Sequence, residues 1–290
     1  MVKLVMHIEF KESGNFRDLP HLFHFLELVF VLITNFENLE DFSKVSKISF
    51  PQWNSSSWKG KEHPHNAWII ASIFKNAKVY VTRTESVPDI TIDRADLDNA
   101  KINKSWAKCI RHFDPYLWST ALYGKLPLAR YRLLEMTPSF ERKPVVTYIS
   151  RQSAMRRTLD PRSHAKIIEF LGKDPRICFE VAEMEKLSWE EQVQLSKKTD
   201  LLIGVHGNGL SHAAFMLPHR NVVEIYTPGM QFHWDYYTLS KMMGHEYLCI
   251  FDNNIVMPQA FSIQNRICLK DDNIPIEAVE PIICQIIQEK

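Results

Sequence analysis

The segment 200–213 constrains the fold more than any other part of the sequence. Leu201 to Val205 is an uninterrupted apolar run, which predicts a strand buried on both faces, as in a parallel sheet. The run stops at the turn His206-Gly207-Asn208-Gly209, and Leu210 to Leu217 then predicts a helix. A buried strand, a glycine turn and a helix start bring backbone N–H groups and the positive end of a helix dipole together. This combination predicts an anion site, and phosphate is the usual anion.

The flanking sequence alternates strands and helices around this segment. Strands are predicted at 145–150, 221–226 and 246–251, and helices at 188–198 and 235–243. Ser188-Trp189-Glu190-Glu191 is a capping-box pattern, and Gly244 is a candidate left-handed C-cap. The region 144–252 is therefore predicted to form a parallel, doubly wound sheet with ligands beyond the carboxyl ends of its strands. Such ends carry Arg151, His206 and Glu224.

The residues before about 140 predict another, smaller α/β region. Strand candidates are 2–9, 45–50 and 77–82, helix candidates are 22–36 and 67–74, and residues 83–105 are predicted to be an irregular loop. Prolines at 138 and 144 interrupt the pattern and mark a boundary. We therefore divide the chain into domains at 1–140 and 141–275, followed by a C-terminal helix at 276–290. That helix is expected to pack back on the first domain and to be kinked by Pro281.

Five motifs occur in order along residues 145–250. They are Tyr148-Ile149-Ser150-Arg151-Gln152, then Arg156-Arg157, then the run Gly204 to His212, then Val223-Glu224-Ile225-Tyr226, then Asp235-Tyr236-Tyr237 with Gly244-His245. Together they resemble glycosyltransferase family 61, and its fungal branch in particular. The resemblance implies a GT-B-like α/β fold of two Rossmann-like domains, of which the N-terminal one is shortened here. It also implies inverting transfer of GlcNAc or xylose from a UDP-sugar donor to a protein or glycan hydroxyl, with no metal or other cofactor required.

Transfer from a UDP-sugar without a metal requires cationic side chains at the donor site. Without a metal, the charge that develops on the departing diphosphate must be met by cations and backbone N–H groups. Arg151 directly follows a predicted strand, and a guanidinium matches phosphate in a bidentate way, so it is the leading candidate. Arg156 and Arg157 are secondary candidates, and the alternative for each is a solvated charge at a helix start.

The glycine turn and the next strand end supply the remaining donor-site candidates. Gly207, Asn208 and Gly209 would bring backbone to the phosphates, or would form an ordinary tight turn. His206 would donate a hydrogen bond to the diphosphate or the sugar, and Ser211 would bond phosphate or cap the helix. The strand-end carboxylate of Glu224 would accept the ribose hydroxyls, and its alternative is a salt-bridged edge carboxylate. His212 and Asp235 are expected to be structural.

An inverting reaction also needs a base that deprotonates the acceptor hydroxyl. His24 and Glu27 lie one helical turn apart in the first domain and loosely match the early acidic segment of the family, so they are the catalytic candidates. The alternative is a core helix that carries two polar residues. Asp235-Tyr236-Tyr237 is not a DxD metal motif, which agrees with metal independence.

Composition narrows the partners and the compartment. A net charge of +1 gives no argument for a nucleic-acid partner. The most apolar early stretch, Leu22 to Thr34, is too short to cross a bilayer, so neither a signal peptide nor a membrane anchor is expected in this chain. The family resemblance implies the lumen of the ER or Golgi. The 5 cysteines include no CxxC pair, so a zinc site is not predicted.

Three other functions compete with transfer. A dehydrogenase needs a third glycine where His212 stands. A serine hydrolase needs its nucleophile on the turn directly after the strand, whereas Ser211 falls within the predicted helix. The strongest alternative is a catalytically inactive or truncated protein that binds nucleotide sugar, because the family pattern is incomplete upstream.

Overall fold

The computed structural model divides the chain into two compact units, Met1–Glu135 and Met136–Lys290. The residues that the structure describes are 6–11, 22, 25–26, 44–49, 66, 68–70, 74, 78–80, 90–93, 143–153, 157–217, 219–227, 230, 233, 235–251, 254–256 and 274–289. Each unit has its own sheet.

The first unit contains a four-stranded parallel sheet. Its strands are β1 (Met6–Lys11), β2 (Val45–Ser49), β3 (Lys78–Tyr80) and β4 (Ile90–Asp93), in the spatial order β3-β2-β1-β4. The central β1 pairs with β2 and β4, so Ile8 lies beside Ile48 on one side and Ile90 on the other. Strands overlap all three segments predicted for this region. The buried positions described around this sheet include Leu22, Phe25, Leu26, Ile69 and Ile70, all of them helical.

β4 corrects one prediction, because it lies within the segment 83–105 that was expected to be an irregular loop. Ile90-Thr91-Ile92-Asp93 alternates apolar and polar residues over only four positions, which is too short a pattern to predict a strand from sequence. Its strand conformation comes from parallel pairing with β1, a tertiary interaction between segments distant in sequence.

The second unit contains a six-stranded sheet, which confirms the predicted α/β class with a Rossmann-like parallel sheet. Its strands are β5 (Val145–Ile149), β6 (Cys178–Ala182), β7 (Leu201–Val205), β8 (Asn221–Ile225), β9 (Glu246–Phe251) and β10 (Asn254–Val256). The spatial order is β10-β9-β8-β7-β5-β6, and every pairing is parallel except that of β10 with β9. Every residue of β5, β7 and β8 is buried, which confirms the burial that the apolar run predicted for β7.

The strand order creates a switch point between β5 and β7. After β5 the chain moves outward to β6, then returns across β5 to β7 and continues to β8 and β9 in the opposite direction. Connections from β5 and β7 therefore leave the sheet on opposite faces and open a crevice at the carboxyl ends of these two strands. This crevice is the position where doubly wound sheets bind ligands.

Three α-helices each connect two parallel strands of the second unit. They are α1 (Pro161–Gly172), α2 (Trp189–Lys198) and α3 (Asp235–Met242). The predicted capping box of α2 is present, because Ser188 accepts the Glu191 N–H while the Glu191 carboxylate accepts the Ser188 N–H. Gly244 follows α3 with a φ of +68°, which confirms its left-handed conformation.

The helix predicted at 210–217 is instead a 3₁₀ helix over Asn208–Phe215. Its first turn closes when the Leu210 N–H donates to the Gly207 carbonyl at 2.9 Å, a bond that spans three residues rather than four. The tighter winding starts directly on the glycine turn, since Gly207 and Gly209 allow a closer backbone approach than other residues.

The C-terminal segment also differs from its prediction. A 3₁₀ helix over Ile276–Val279 precedes α4 (Glu280–Gln288), and Pro281 lies in the first turn of α4. The proline therefore does not kink a continuous helix, because a first-turn residue needs no N–H donor. The segment packs on the core of the second unit through the buried side chains of Ile276, Val279, Ile283 and Ile286.

Candidate functional site

The switch point fixes two site residues at adjacent strand ends. Arg151 lies two residues after the end of β5, and His206 follows β7 directly. The sheet hydrogen bonding continues past both strands, since the Ser150 N–H donates to Ala182 and the His206 N–H donates to Ile225, each at 2.8 Å. The backbone that carries the two side chains is therefore held by the sheet rather than by a free loop.

Arg151 packs directly against Gly207, whose φ of 156° is one that residues with a Cβ rarely adopt. A Cβ built on Gly207 would lie 3.0 Å from the Arg151 Cζ and would overlap Nη1. The side chain of Arg151 is half-buried, and its Nε has no hydrogen-bond partner among the described residues. Burial, followed by the neighbouring Arg157 cation, lowers the pKa of Arg151. A half-buried cation with an unused hydrogen-bond donor is suited to an anionic ligand.

Arg157 brings a second cation to the same place. Its backbone is left-handed, with a φ of 59°, which is uncommon for a residue with a Cβ. Its Nη1 donates to the His206 carbonyl oxygen at 3.3 Å, so the guanidinium reaches across to the end of β7. The structure thus joins Arg151 and Arg157 at the switch point. The third arginine predicted for the site, Arg156, lies outside the described residues.

The glycine turn approaches the end of β5. A Cβ on Gly209 would lie 2.9 Å from Ile149 Cγ2, so only glycine permits this contact without displacement. The Ser211 side chain is fully buried and donates to Asn208 Oδ1 at 3.2 Å. Ser211 therefore orients the half-buried Asn208, rather than presenting its hydroxyl at the surface of the crevice.

Glu224 forms hydrogen bonds with protein groups. The side chain is completely buried, Oε1 lies 2.5 Å from His206 Nδ1, and Oε2 accepts the Tyr247 hydroxyl. Both carboxylate oxygens therefore have protein partners, and the ribose role of Glu224 stays a prediction. Burial raises the pKa of Glu224, and the hydrogen bonds from His206 and Tyr247 oppose this rise.

Three aromatic side chains that sequence reasoning did not assign to the site surround His206. Its ring stacks on Tyr226 at 5.0 Å and on His233 at 5.2 Å, and it meets Tyr236 edge-on at 5.2 Å. The register of the strands predicts one of these contacts, that between His206 and Tyr226. Val205 pairs with Ile225, so the next residues of the two strands, His206 and Tyr226, fall side by side.

His212 is structural, as expected. The ring is buried beside Trp189 and Phe215, its Nδ1 lies 2.9 Å from the Gly209 carbonyl, and its Nε2 lies 2.8 Å from Gln192 Oε1. Burial lowers the pKa of His212 to about 4. His212 therefore connects the glycine turn to α2 through its two ring nitrogens.

The remaining predicted residues are placed as follows. His24 and Glu27 lie outside the described residues, and Asp235 is the first residue of α3. Within the described part of the chain, no three His, Cys, Asp or Glu side chains form a group that could hold a metal ion. The helices described there include none that is both long enough and apolar enough to cross a membrane.

The fold and the site define an α/β protein with a Rossmann-like parallel sheet and two arginine side chains at the carboxyl ends of its strands. Comparison with known proteins agrees with this class, since the signature of the glycosyltransferase 61 family matches residues 20–223, which is more than half of the chain. The chain belongs to the glycosyltransferase 61 family.

Two curated relatives are similar over a limited part of the chain. The EGF domain-specific O-linked N-acetylglucosamine transferase of Drosophila melanogaster is 26% identical over 122 residues, which is 41% of this chain and 22% of the relative. The protein of the same name from Bos taurus is 27% identical over 118 residues, covering 39% of this chain and 21% of the relative. The match therefore spans about a fifth of each relative's length.

Among solved structures, the chain aligns with a probable 2-hydroxyacid dehydrogenase from Rhizobium etli CFN 42 at 12% identity. The alignment covers 99% of this chain and 95% of that one, but its TM-score is 0.24. A score this low carries no argument about fold or function.

Proposed function

We propose that the chain is an inverting glycosyltransferase that moves GlcNAc or xylose from a UDP-sugar to a hydroxyl of a protein or glycan. The observation that carries this proposal is the half-buried Arg151, packed on Gly207 at the switch point with Nε unpartnered among the described residues. Family membership supports glycosyl transfer as the reaction class. The names of the two relatives favour GlcNAc as the sugar and an EGF domain as the acceptor.

The proposed reaction is a single displacement. The acceptor oxygen bonds to the anomeric carbon as the bond from that carbon to the diphosphate oxygen breaks, and the bonding electron pair leaves with UDP. The acceptor proton passes to a base, for which His24 and Glu27 of the first unit are proposed. Arg151, Arg157 and the backbone at Gly207 and Gly209 would stabilise the negative charge on the departing diphosphate, so that no metal is required.

A GT-B arrangement assigns the two units different tasks. Residues 141–275, with the crevice at β5 and β7, would bind the donor, and residues 1–140 would bind the acceptor and supply the base. Each unit contains a sheet with parallel strands, and this observation supports the proposed arrangement. A location in the ER or Golgi lumen remains a prediction from the family.

A transfer assay tests the proposal. The full chain is incubated with UDP-GlcNAc or UDP-xylose and a folded EGF repeat, the product mass is measured, and the anomeric configuration is read by NMR. A mass increase of one sugar, joined in the β configuration, is the expected result. UDP binding without transfer to this or any glycan acceptor would favour the inactive nucleotide-sugar-binding protein, and a retained α linkage would contradict the inverting mechanism.

A further inference from the structure

We propose that His233 is a stacking surface for the nucleobase of the donor. Its imidazole is the exposed member of a cluster of stacked rings formed by Tyr226, His206 and His233, which we call the ring cluster. The ligand is the planar base of a nucleoside diphosphate. This inference rests on the proposed function, because it takes the anion beside Arg151 to be the diphosphate of that nucleotide.

The ring cluster leaves one of its members open to a ligand. The His206 ring is stacked with the Tyr226 ring, with centroids 5.0 Å apart and planes inclined by 29°. The His233 ring is stacked with the same imidazole at 5.2 Å and 26°. Tyr226 and His206 are buried, whereas His233 is exposed. Two buried rings therefore support an exposed one, and a flat exposed ring is a surface on which a base can stack.

The backbone of His233 is held without help from its imidazole. The Tyr226 hydroxyl donates to the His233 carbonyl oxygen at 2.8 Å and accepts the His233 N–H at 3.1 Å. One buried phenol thus satisfies both backbone groups of a residue that lies beyond the end of β8. Neither ring nitrogen of His233 has a hydrogen-bond partner among the residues that the structure describes. Closure of this segment therefore does not explain why position 233 carries an imidazole.

The ring cluster lies beside the cations at the switch point. Arg157 Nη1 donates to the His206 carbonyl oxygen at 3.3 Å, and the next residue along the chain is Gly207, against which Arg151 packs. A diphosphate bound to these guanidinium groups would carry a nucleoside at one end and a sugar at the other. Of these two groups only the nucleobase is planar and aromatic, so it is the one that matches the face of the His233 ring.

A pair of substitutions separates stacking from hydrogen bonding at this position. His233→Phe keeps an aromatic face and removes both ring nitrogens, whereas His233→Gln keeps hydrogen-bonding atoms and removes the ring. Both variants change an exposed side chain and keep the backbone bonds to Tyr226, so both are expected to fold with the wild-type melting temperature.

Calorimetric titration of the full chain with UDP measures the effect. We expect His233→Phe to bind UDP as tightly as wild type, and His233→Gln to bind it roughly fivefold to tenfold more weakly, because a base-stacking contact is lost. The opposite order, with affinity kept in His233→Gln and lost in His233→Phe, would show that His233 acts through a hydrogen bond and would overturn the proposal.

Two further ligands show which part of the nucleotide lies on the ring. Inorganic pyrophosphate has no base, so its affinity should be the same in wild type and His233→Gln. Equal losses for UDP and pyrophosphate would connect His233 with the phosphates and would overturn the proposal. A loss for UDP-GlcNAc that is absent for UDP would place the sugar on the ring, with the same consequence.

Proton NMR of bound UDP gives a readout that does not depend on affinity. An aromatic ring stacked on uracil shifts the two carbon-bound protons of the base upfield. We expect this shift with wild type and with His233→Phe, and we expect it to be smaller with His233→Gln at saturating protein. An identical shift in all three proteins would place the base elsewhere and would overturn the proposal.

Failure of this inference can be told apart from failure of the proposed function. If wild type binds UDP and His233→Gln binds it equally well, base stacking on His233 is contradicted while the donor site stands. If folded wild type binds neither UDP nor pyrophosphate, the proposed function is contradicted, and this inference with it.

Discussion

The arginine side chains at the amino ends of the buried strands of the second unit differ in their pairing from those at the carboxyl ends. At the amino ends, Arg220 Nε lies 3.2 Å from Asp200 Oδ1, and Asp200 Oδ2 accepts the Val145 N–H at 2.8 Å. At the carboxyl ends, neither Arg151 nor Arg157 forms a salt bridge with any described residue. The pair of Asp200 with Arg220 therefore helps to hold the sheet together at the amino ends. At the carboxyl ends, the half-buried Arg151 and the exposed Arg157 have no carboxylate partner among the described residues, so we expect these two cations to bind a ligand.

The largest effect is expected where the charge is paired. Asp200→Ala leaves Arg220 without its carboxylate and the Val145 N–H without its acceptor, so the free energy of unfolding should fall by about 3–5 kcal/mol. Denaturant titration measures this change. Glu169→Ala is the control, because its pair with Lys173 is exposed to solvent and should contribute little to stability. An equal loss in both variants would remove the distinction between the paired end and an exposed ion pair.

The buried His212 should make stability depend on pH, although it lies near the carboxyl ends of the strands. Its folded pKa of about 4 lies below the usual 6.5, so the unfolded chain binds more protons between these values. Stability should therefore fall as pH drops from 6.5 to 4, by at most about 3 kcal/mol. An imidazolium would donate to both Gly209 and Gln192, which opposes burial and makes this an upper bound.

The measurement is the free energy of unfolding against pH for wild type and His212→Gln. Only the difference in slope between the two proteins matters, because the other titrating groups are shared. We expect the variant to have the shallower slope over this window. Parallel slopes would show that folding does not lower the pKa of His212.

Arg151 should affect binding rather than stability. Arg151→Ala is expected to weaken UDP affinity by about 1.5–3 kcal/mol, or roughly 10- to 150-fold, because a charge-assisted hydrogen bond to phosphate is lost. The free energy of unfolding should change little, since the guanidinium forms no salt bridge to break. Arg162→Ala, on the exposed part of α1, is the matched control and should leave UDP affinity unchanged. An unchanged affinity in folded Arg151→Ala would take Arg151 out of the site.

A pair of glycine variants makes the smallest change. Gly207→Ala adds a methyl group that must displace the Arg151 guanidinium, so UDP affinity should fall by about 1 kcal/mol or more. Gly244→Ala adds the same group in open space at a φ of +68°, so it should cost stability by about 1 kcal/mol without changing affinity. Calorimetry and denaturant titration give the two quantities. Equal affinities in the two variants would mean that Arg151 does not need the space at position 207.

Much of the second sheet is predictable because its signals are local. The apolar run of β7 predicted its burial, and the Ser188 capping box and Gly244 predicted helix ends. Strand β4 and the antiparallel β10 were missed, because short segments become strands only by pairing with neighbours distant in sequence.

The site is predictable in position but not in detail. Strand ends placed Arg151 and His206 at one edge of the sheet, since topology dictates where carboxyl ends meet. Sequence alone did not show that Glu224 would turn inward, because its direction depends on Tyr247 from a third strand. The contact between Arg151 and Gly207 is likewise a packing result, and sequence shows only that a glycine is present.

Calorimetric titration of the full chain with UDP, with and without EDTA, tests whether the cations at the ends of β5 and β7 bind the diphosphate without a metal. We expect saturable binding that EDTA does not change and that Arg151→Ala weakens. Absence of UDP binding by the folded chain, or binding that EDTA abolishes, would contradict this expectation.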